Sequence, residues 1–153
     1  AKADSSIIEE LNLAKNVISK DVRSALKPDS TTDSVEIMQI DGENRILNIY
    51  RLNSDLENML NIQYELTGNG EMKRKSNTST NTSFPYNFDN EWDSEMTLTE
   101  DVIVESIFFI SDFTDQTEFD TYIPKPVEIS FTISRNGRNE NIEFDVVSRS
   151  RSN

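Results

Sequence analysis

The first apolar positions along the chain recur at helical spacing. Ile7, Leu11, Ala14, Ile18 and Ala25 stand three, four or seven residues apart, and Ile8, Val17, Val22 and Leu26 widen the stripe. One face of a 3.6-residue helix is therefore apolar over about five to six turns. Ser5 and Ser6 offer N-cap side chains, Glu9 and Glu10 fall in the first turns, and Lys27 falls in the last, as the helix dipole favours. Pro28 has no N–H to continue the ladder. The spacing predicts a helix over 5–27, about 34 Å long. Its outward positions, chiefly Glu9, Glu10, Lys15, Asp21 and Arg23, are candidate subunit contacts.

After the polar stretch Pro28–Ser34 the period changes to two. Val35–Ile40 and Arg45–Leu52 read as paired strands around an Asp41-Gly42 turn. Asn53–Asn58 reads as a turn. Leu60, Ile62, Tyr64 and Leu66 alternate with polar residues, and Gly68-Asn69-Gly70 turns the chain toward Glu71–Lys75. A long polar loop is expected from residue 76 to about 95. From Met96 to Ile110 one strand is expected, covered on both faces: Val102, Val104, Phe108 and Ile110 on one side, Ile103, Ile107 and Phe109 on the other. A second long loop follows over 111–125. Then Val127, Ile129, Phe131 and Ile133 alternate, Asn136-Gly137 turns, and Ile142, Phe144 and Val146 alternate, which predicts a terminal hairpin. The organisation expected is one domain over 1–153, with a helix in 1–28 and an antiparallel β region over 35–153.

Composition narrows the chemistry. Twenty-eight acids against fifteen bases give a net charge of −13, which opposes binding to nucleic acid or to an anionic membrane surface. There is no Cys and no His, so the commonest general base and the usual structural zinc ligands are both missing. No Ser-His-Asp triad or phosphate-cradling glycine loop can be assembled, and no catalytic residue and no cofactor is expected. No apolar run is long enough to span a bilayer, and no signal peptide opens the chain, which starts inside the helical pattern.

Between Lys75 and Lys125 there is no base at all, but there are eleven acids: Asp89, Glu91, Asp93, Glu95, Glu100, Asp101, Glu105, Asp112, Asp115, Glu118 and Asp120. The alternation of Asp89, Glu91, Asp93 and Glu95 makes these the only candidate Ca²⁺ ligands, although the glycine and terminal Glu of an EF-hand loop are lacking. The expected role of this span is solvated surface charge. Lys73-Arg74-Lys75 and Arg149–Arg151 are the basic clusters. Phe84, Tyr86, Phe88 and Trp92 are expected to pin the long loop to the core. Asn77-Thr78-Ser79 and Asn81-Thr82-Ser83 match the glycosylation sequon.

Three segments carry a resemblance. Val17-Ile18-Ser19-Lys20-Asp21-Val22-Arg23-Ser24-Ala25 resembles a hydrophobic–polar–Asp–hydrophobic–Arg–x–Ala segment late in a first helix. Leu98-Thr99-Glu100-Asp101-Val102 followed by Ile107-Phe108-Phe109 resembles a Leu-x-Glu-x-Val…Phe strand. Pro126-Val127-Glu128-Ile129-Ser130-Phe131, then Phe144, Val147 and Arg149, resembles a closing hairpin with a final basic position. Together they resemble the soluble part of type IV pilin-like proteins, in the group of minor pilins and pseudopilins that includes PilW, ComGF and the type II secretion J-type subunits. The processing site, the first apolar helix half and its Glu, which mark that family, are not in this sequence.

The resemblance implies an α+β fold of the pilin kind, one long N-terminal amphipathic helix packed on an antiparallel β-sheet. It implies a structural subunit of a pilus, secretion or DNA-uptake filament, acting in assembly priming or tip contacts and partnered by other pilin or pseudopilin subunits. Such a subunit sits in the membrane before assembly and at the cell surface afterwards, and residues 1–27 would be the second half of a longer helix. From the charge, the soluble chain is expected to be monomeric. The alternative is a secreted acidic binding module or adhesin using its acidic loops, with or without Ca²⁺.

Overall fold

In the computed structural model, strands dominate. The structure describes residues 2–105, 107–110 and 126–147, with the backbone alone for 2–6 and 110. A helix, α1 (Lys2–Arg23), is followed by β1 (Val35–Ile40), β2 (Glu43–Leu52), β3 (Met59–Leu66), β4 (Met72–Thr78), β5 (Ser94–Thr99), β6 (Phe108–Ile110), β7 (Pro126–Arg135) and β8 (Arg138–Val147). β1 to β5 form one antiparallel meander in chain order, and β6, β7 and β8 form a second antiparallel sheet.

This corrects the expected architecture. The chain is not a long helix laid on a sheet in the pilin manner. Two antiparallel sheets enclose most of the core, the helix is a short minority element, and the fold is α+β only in a loose sense. Nor does the helix run to Lys27. It stops at Arg23, four residues sooner, because the next residues join the meander. The Ala25 N–H turns back to the Val22 carbonyl (3.1 Å), Ala25 bridges Arg51, and the Leu26 N–H donates to the Tyr50 carbonyl (2.8 Å). Pairing with β2 ends the helix before Pro28 can.

The two tight turns fall where the sequence places them. Asp41 and Gly42 both have positive φ (54° and 79°), as do Asn136 and Gly137 (54° and 77°). That geometry matches the twist of a two-residue hairpin. In β3 the alternation buries Ile62, Tyr64 and Leu66, and in β7 it buries Val127, Ile129, Phe131 and Ile133. The helix adds Ile7, Leu11, Ala14, Ile18 and Val22 to the same core. Ile142 and Phe144 of β8 are only partly buried.

The strand expected over 96–110 is broken in two. β5 closes the meander, and the chain then crosses to the second sheet through Asp101, whose φ is 63°. The Val102 N–H donates to the Gly70 carbonyl (2.9 Å), Val102 bridges Ile133, and the Ile103 N–H donates to the Thr132 carbonyl (2.9 Å). Gly70 must be glycine here: its φ is +80°, and a Cβ would lie 2.7 Å from the Val102 carbonyl oxygen. Because this segment passes between sheets, only part of it is covered. Val102, Ile107 and Phe108 are buried, while Ile103 and Phe109 are exposed. The side chain of Ile110 and the segment 111–125, where a loop is expected, with its acids, lie outside the described residues.

Phe131 is fully buried at the centre of β7. Phe131→Ala should lower the unfolding free energy by about 3–5 kcal/mol in urea titrations, the range for deleting a core aromatic. A loss below about 1 kcal/mol, the level of surface substitutions, would place the ring outside the core.

Candidate functional site

The chemistry of the described residues converges on the helix. Strand alternation turns Leu47, Ile49 and Arg51 of β2 to one face, Ile62 and Tyr64 of β3 to the same face, and Met72 and Arg74 of β4 with them. The register aligns Leu47, Tyr64 and Arg74 across the three strands. Three polar side chains therefore project inward from adjacent strands, and the helix meets them with Asp21, which is 2% exposed. Arg51 Nη1 donates to Asp21 Oδ1 (2.8 Å) and Arg74 Nε donates to Asp21 Oδ2 (3.1 Å). The Tyr64 hydroxyl also donates to Asp21 Oδ2, and Arg74 Nε reaches the Tyr64 oxygen at 3.2 Å.

A carboxylate taken from water is tolerable only if its oxygens are paired and hydrogen-bonded. Here two guanidinium groups and a phenol meet that demand. The phenol feels the cluster in return: burial, and then the Asp21 charge beside it, push the Tyr64 ionisation far above its ordinary value. Burial opposes the charge on Arg74, but the bond to Asp21 and the carboxylate's field outweigh it and hold the guanidinium protonated.

A second ionic clamp holds the other half of the helix. Arg135, at the end of β7, spans Glu10 and Asp101, with Nη1 to Glu10 Oε2 at 2.5 Å and Nε to Asp101 Oδ2 at 2.7 Å. Thr99 Oγ1 adds a bond to Glu10 Oε1 (3.0 Å). Bonds to Glu10 and then Asp101 raise the Arg135 pKa. Glu10 and Asp21 are eleven residues apart, about 16 Å along the axis, so the helix is tied at two separated points, Asp21 to the first sheet and Glu10 to both.

Of the five candidate contact residues, the structure leaves Glu9, Lys15 and Arg23 outward and exposed. Glu10 and Asp21 are committed inside the molecule by these clamps. Lys15 Nζ also lies 5.9 Å from the centre of the Phe144 ring. Sequence reading missed the cluster, although its signal was present. Arg51 and Arg74 occupy inward-facing strand positions, and Asp21 stands on the apolar stripe, seven residues after Ala14 and three after Ile18. A base at an inward position in each of two strands requires a buried counter-ion.

The remaining candidates are mostly used locally. Asp89, Glu91, Asp93 and Glu95 are exposed and do not converge, and no group of three acids suited to a metal ion occurs among the described residues. The Asp93 carboxylate accepts the Thr78 N–H (2.8 Å), Asp89 Oδ1 accepts the Glu91 N–H (3.1 Å), and Glu95 lies 4.0 Å from Lys73. The loop after β4 is pinned by Phe88 on Tyr50, with ring centres 5.6 Å apart, and by Trp92 beneath Lys75. Phe84 does not pin it and is half exposed.

Neither sequon presents a free amide. Asn77 is buried and donates to the Asp89 carbonyl (2.9 Å), while Asn81 is bonded to the Ser83 and Pro85 carbonyls and to the Asn87 N–H. The Lys73-Arg74-Lys75 cluster is split by alternation, with Arg74 inward and both lysines outward to Glu95 and Glu65. Arg149 and Arg151 lie outside the described residues. A concavity of about 400 Å³ lies between Asn44 of β2 and the second sheet, lined by Ile107, Phe108, Phe109, Glu128, Ile129, Ser130, Glu143, Phe144 and Asp145.

No family model, no curated protein and no solved structure matches the chain. No helix among the described residues is long and apolar enough to cross a membrane.

Two outcomes follow from the Asp21 cluster. Asp21→Ala leaves two guanidinium groups facing each other without a counter-ion, and should cost about 3–5 kcal/mol of unfolding free energy in denaturant, as breaking a buried pair does. A loss under about 1 kcal/mol, the scale of exposed pairs, would show that water reaches the cluster. Tyr64 sets the alkaline limit. Its folded pKa lies above the ordinary 10.0, so the stability it contributes is fully present below pH 10 and is lost as pH rises beyond it. Ultraviolet titration of the phenols should find Tyr64 ionising only together with alkaline unfolding. Ionisation of all four tyrosines while the fold persists would contradict the assignment.

Proposed function

We propose that this chain is a structural subunit of a type IV pilus-like filament, of the minor pilin or pseudopilin kind, acting in assembly priming or tip contacts at the cell surface. The observation that carries the reading is the treatment of the helix. Its inner face is locked to both sheets through Asp21 and Glu10, while its outer face, with Glu9, Asn12, Lys15, Asn16, Lys20 and Arg23, remains exposed. A rigid, solvent-facing helix is what a subunit needs to present to neighbours stacked along an axis. The helix segment and the two strand segments that resemble this group add sequence support. The reading does not rest on overall architecture, which departs from the one the resemblance implies. It needs no catalysis, and the buried Asp21 carboxylate with its arginine and tyrosine partners is engaged in holding the elements together.

The machine to which the subunit belongs could be a pilus, a type II secretion system or a DNA-uptake apparatus. Its partners under this reading are other pilin or pseudopilin subunits, and its site residues are the exposed helix positions Glu9, Lys15 and Arg23.

The test is cellular. The full-length gene product should co-fractionate with sheared surface filaments, and Lys20→Glu with Arg23→Glu should abolish that incorporation while the protein still accumulates. A product that never leaves the non-filament fraction, with filament number unchanged on gene deletion, would rule the reading out.

A further inference from the structure

We infer that two copies of this chain associate head to tail, the outer face of α1 on one copy seating against the outer face of the β6–β8 sheet on the next. The inference deepens the filament reading and takes its biological setting from it. Its structural argument begins with how the bases are used. Each described lysine and arginine from Arg45 to Arg138 lies within 4.0 Å of a carboxylate. Lys27 turns to the Ser30 carbonyl (3.4 Å) instead, and Lys15, Lys20 and Arg23 have no carboxylate either. These last three stand exposed on the outer arc of α1, where Glu9 is the one exposed carboxylate among the described side chains. In a chain with nearly two acids per base, bases without a carboxylate should be rare, and these three share one face. That face is a cationic strip on an otherwise acidic molecule.

The complementary surface is on the far side of the second sheet. Phe144 turns toward the helix, where Lys15 lies over its ring, so alternation turns Glu143 and Asp145 to the opposite face. Register places Phe109, Glu128 and Asp145 side by side across the three strands, with Glu143 opposite Ser130. Phe109 is 55% exposed at the edge of the 400 Å³ concavity. Glu143 and Asp145 are exposed, and no base pairs with them among the described residues. Glu143 and Asp145, on the same face as the exposed Phe109 ring, suit a lysine or arginine, which gains both charge pairing and contact with the ring.

The two surfaces point away from each other, because the helix covers the inner face of the sheet whose outer face holds the acids. A contact between unlike faces on opposite sides is heterologous: a pair of copies leaves one of each face unfilled, so it propagates as an open chain unless its rotation closes a ring. Net charge alone predicts a monomer. The Debye length near physiological salt is about 8 Å, so the remote acids are screened while charges meeting at the contact are not. Local complementarity then outweighs the overall repulsion.

Paired charge reversals test this by sedimentation velocity near physiological salt, with circular dichroism melts confirming that each variant stays folded. The unmodified chain should show concentration-dependent association. Lys20→Glu with Arg23→Glu, and separately Glu143→Lys with Asp145→Lys, should each weaken it by about tenfold or more. Mixed in equal amounts, the two variants should associate at least as well as the unmodified chain, since each offers the face the other has lost. A chain that stays monomeric at its solubility limit, or a mixture no more associated than either variant alone, would overturn the inference. Filament incorporation in cells is a separate readout. If incorporation persists while the mixture fails, the head-to-tail contact is wrong and the filament reading stands.

Discussion

The carboxylate of Asp21 is the interaction on which the other features of this molecule depend. Removing a carboxylate from water costs several kcal/mol even after relaxation, and the cost is met here by Arg51, Tyr64 and Arg74 together. These come from three consecutive strands, so the bond set forms only when the meander is in register and the helix is in place. Turning the helix by one residue would carry Asp21 through about 100° and strand two cations in the core. The cluster therefore fixes the rotation of α1. That rotation decides which side chains reach solvent, so the outward position of Lys20, Arg23 and Asn16 follows from the inward position of Asp21. The clamp of Arg135 on Glu10 and Asp101 repeats the device on the other sheet, where its groups are partly exposed and their pairing correspondingly weaker.

Much of the β structure could be read from the sequence, for a local reason. An Asp-Gly or Asn-Gly turn between alternating runs specifies both arms of a hairpin within about twenty residues, and no distant partner is needed. Where the outcome depends on distant partners, the local pattern does not show it. Nothing near Ala25 announces that it will bridge Arg51, so the spacing alone predicts a helix that runs on to Lys27. Nothing within 96–110 announces that the chain leaves one sheet for another. Glu100 and Asp101 are ordinary polar residues there, and the crossover is set by Gly70 and β7. Asp21 shows the limit from another side. It is a lone acid on an apolar stripe, and only the inward bases on β2 and β4 reveal why it is there. The sequence held all three residues, but their meeting is a property of register.

Net charge illustrates the same point at the surface. A value of −13 summarises a molecule that repels its copies, and as a sum it is correct. The arrangement is different. Internal pairing uses the described bases from Arg45 onward to neutralise carboxylates, and this leaves Lys15, Lys20 and Arg23 of the helix without a carboxylate, Lys15 lying over the Phe144 ring. The molecule then has a weakly cationic strip on one side and carboxylates on the other, so it behaves at short range as a dipole rather than as a uniform anion. Screening at physiological salt removes the sum before it removes the pattern.

An enzyme concentrates strained or perturbed groups in a cleft, where a substrate can reach them. Among the described residues the strongly perturbed groups, Tyr64 and Arg135, are perturbed by partners that bind one element to another. Tyr64 is sealed in the core, and Arg135 is occupied by two carboxylates. Their energetic role ends in holding the helix still. A helix held still at two points on two sheets keeps its outer side chains in fixed relation, which lowers the entropy lost when they meet a neighbour. Structural economy inside the molecule and readiness for contact outside it are consequences of the same pair of clamps.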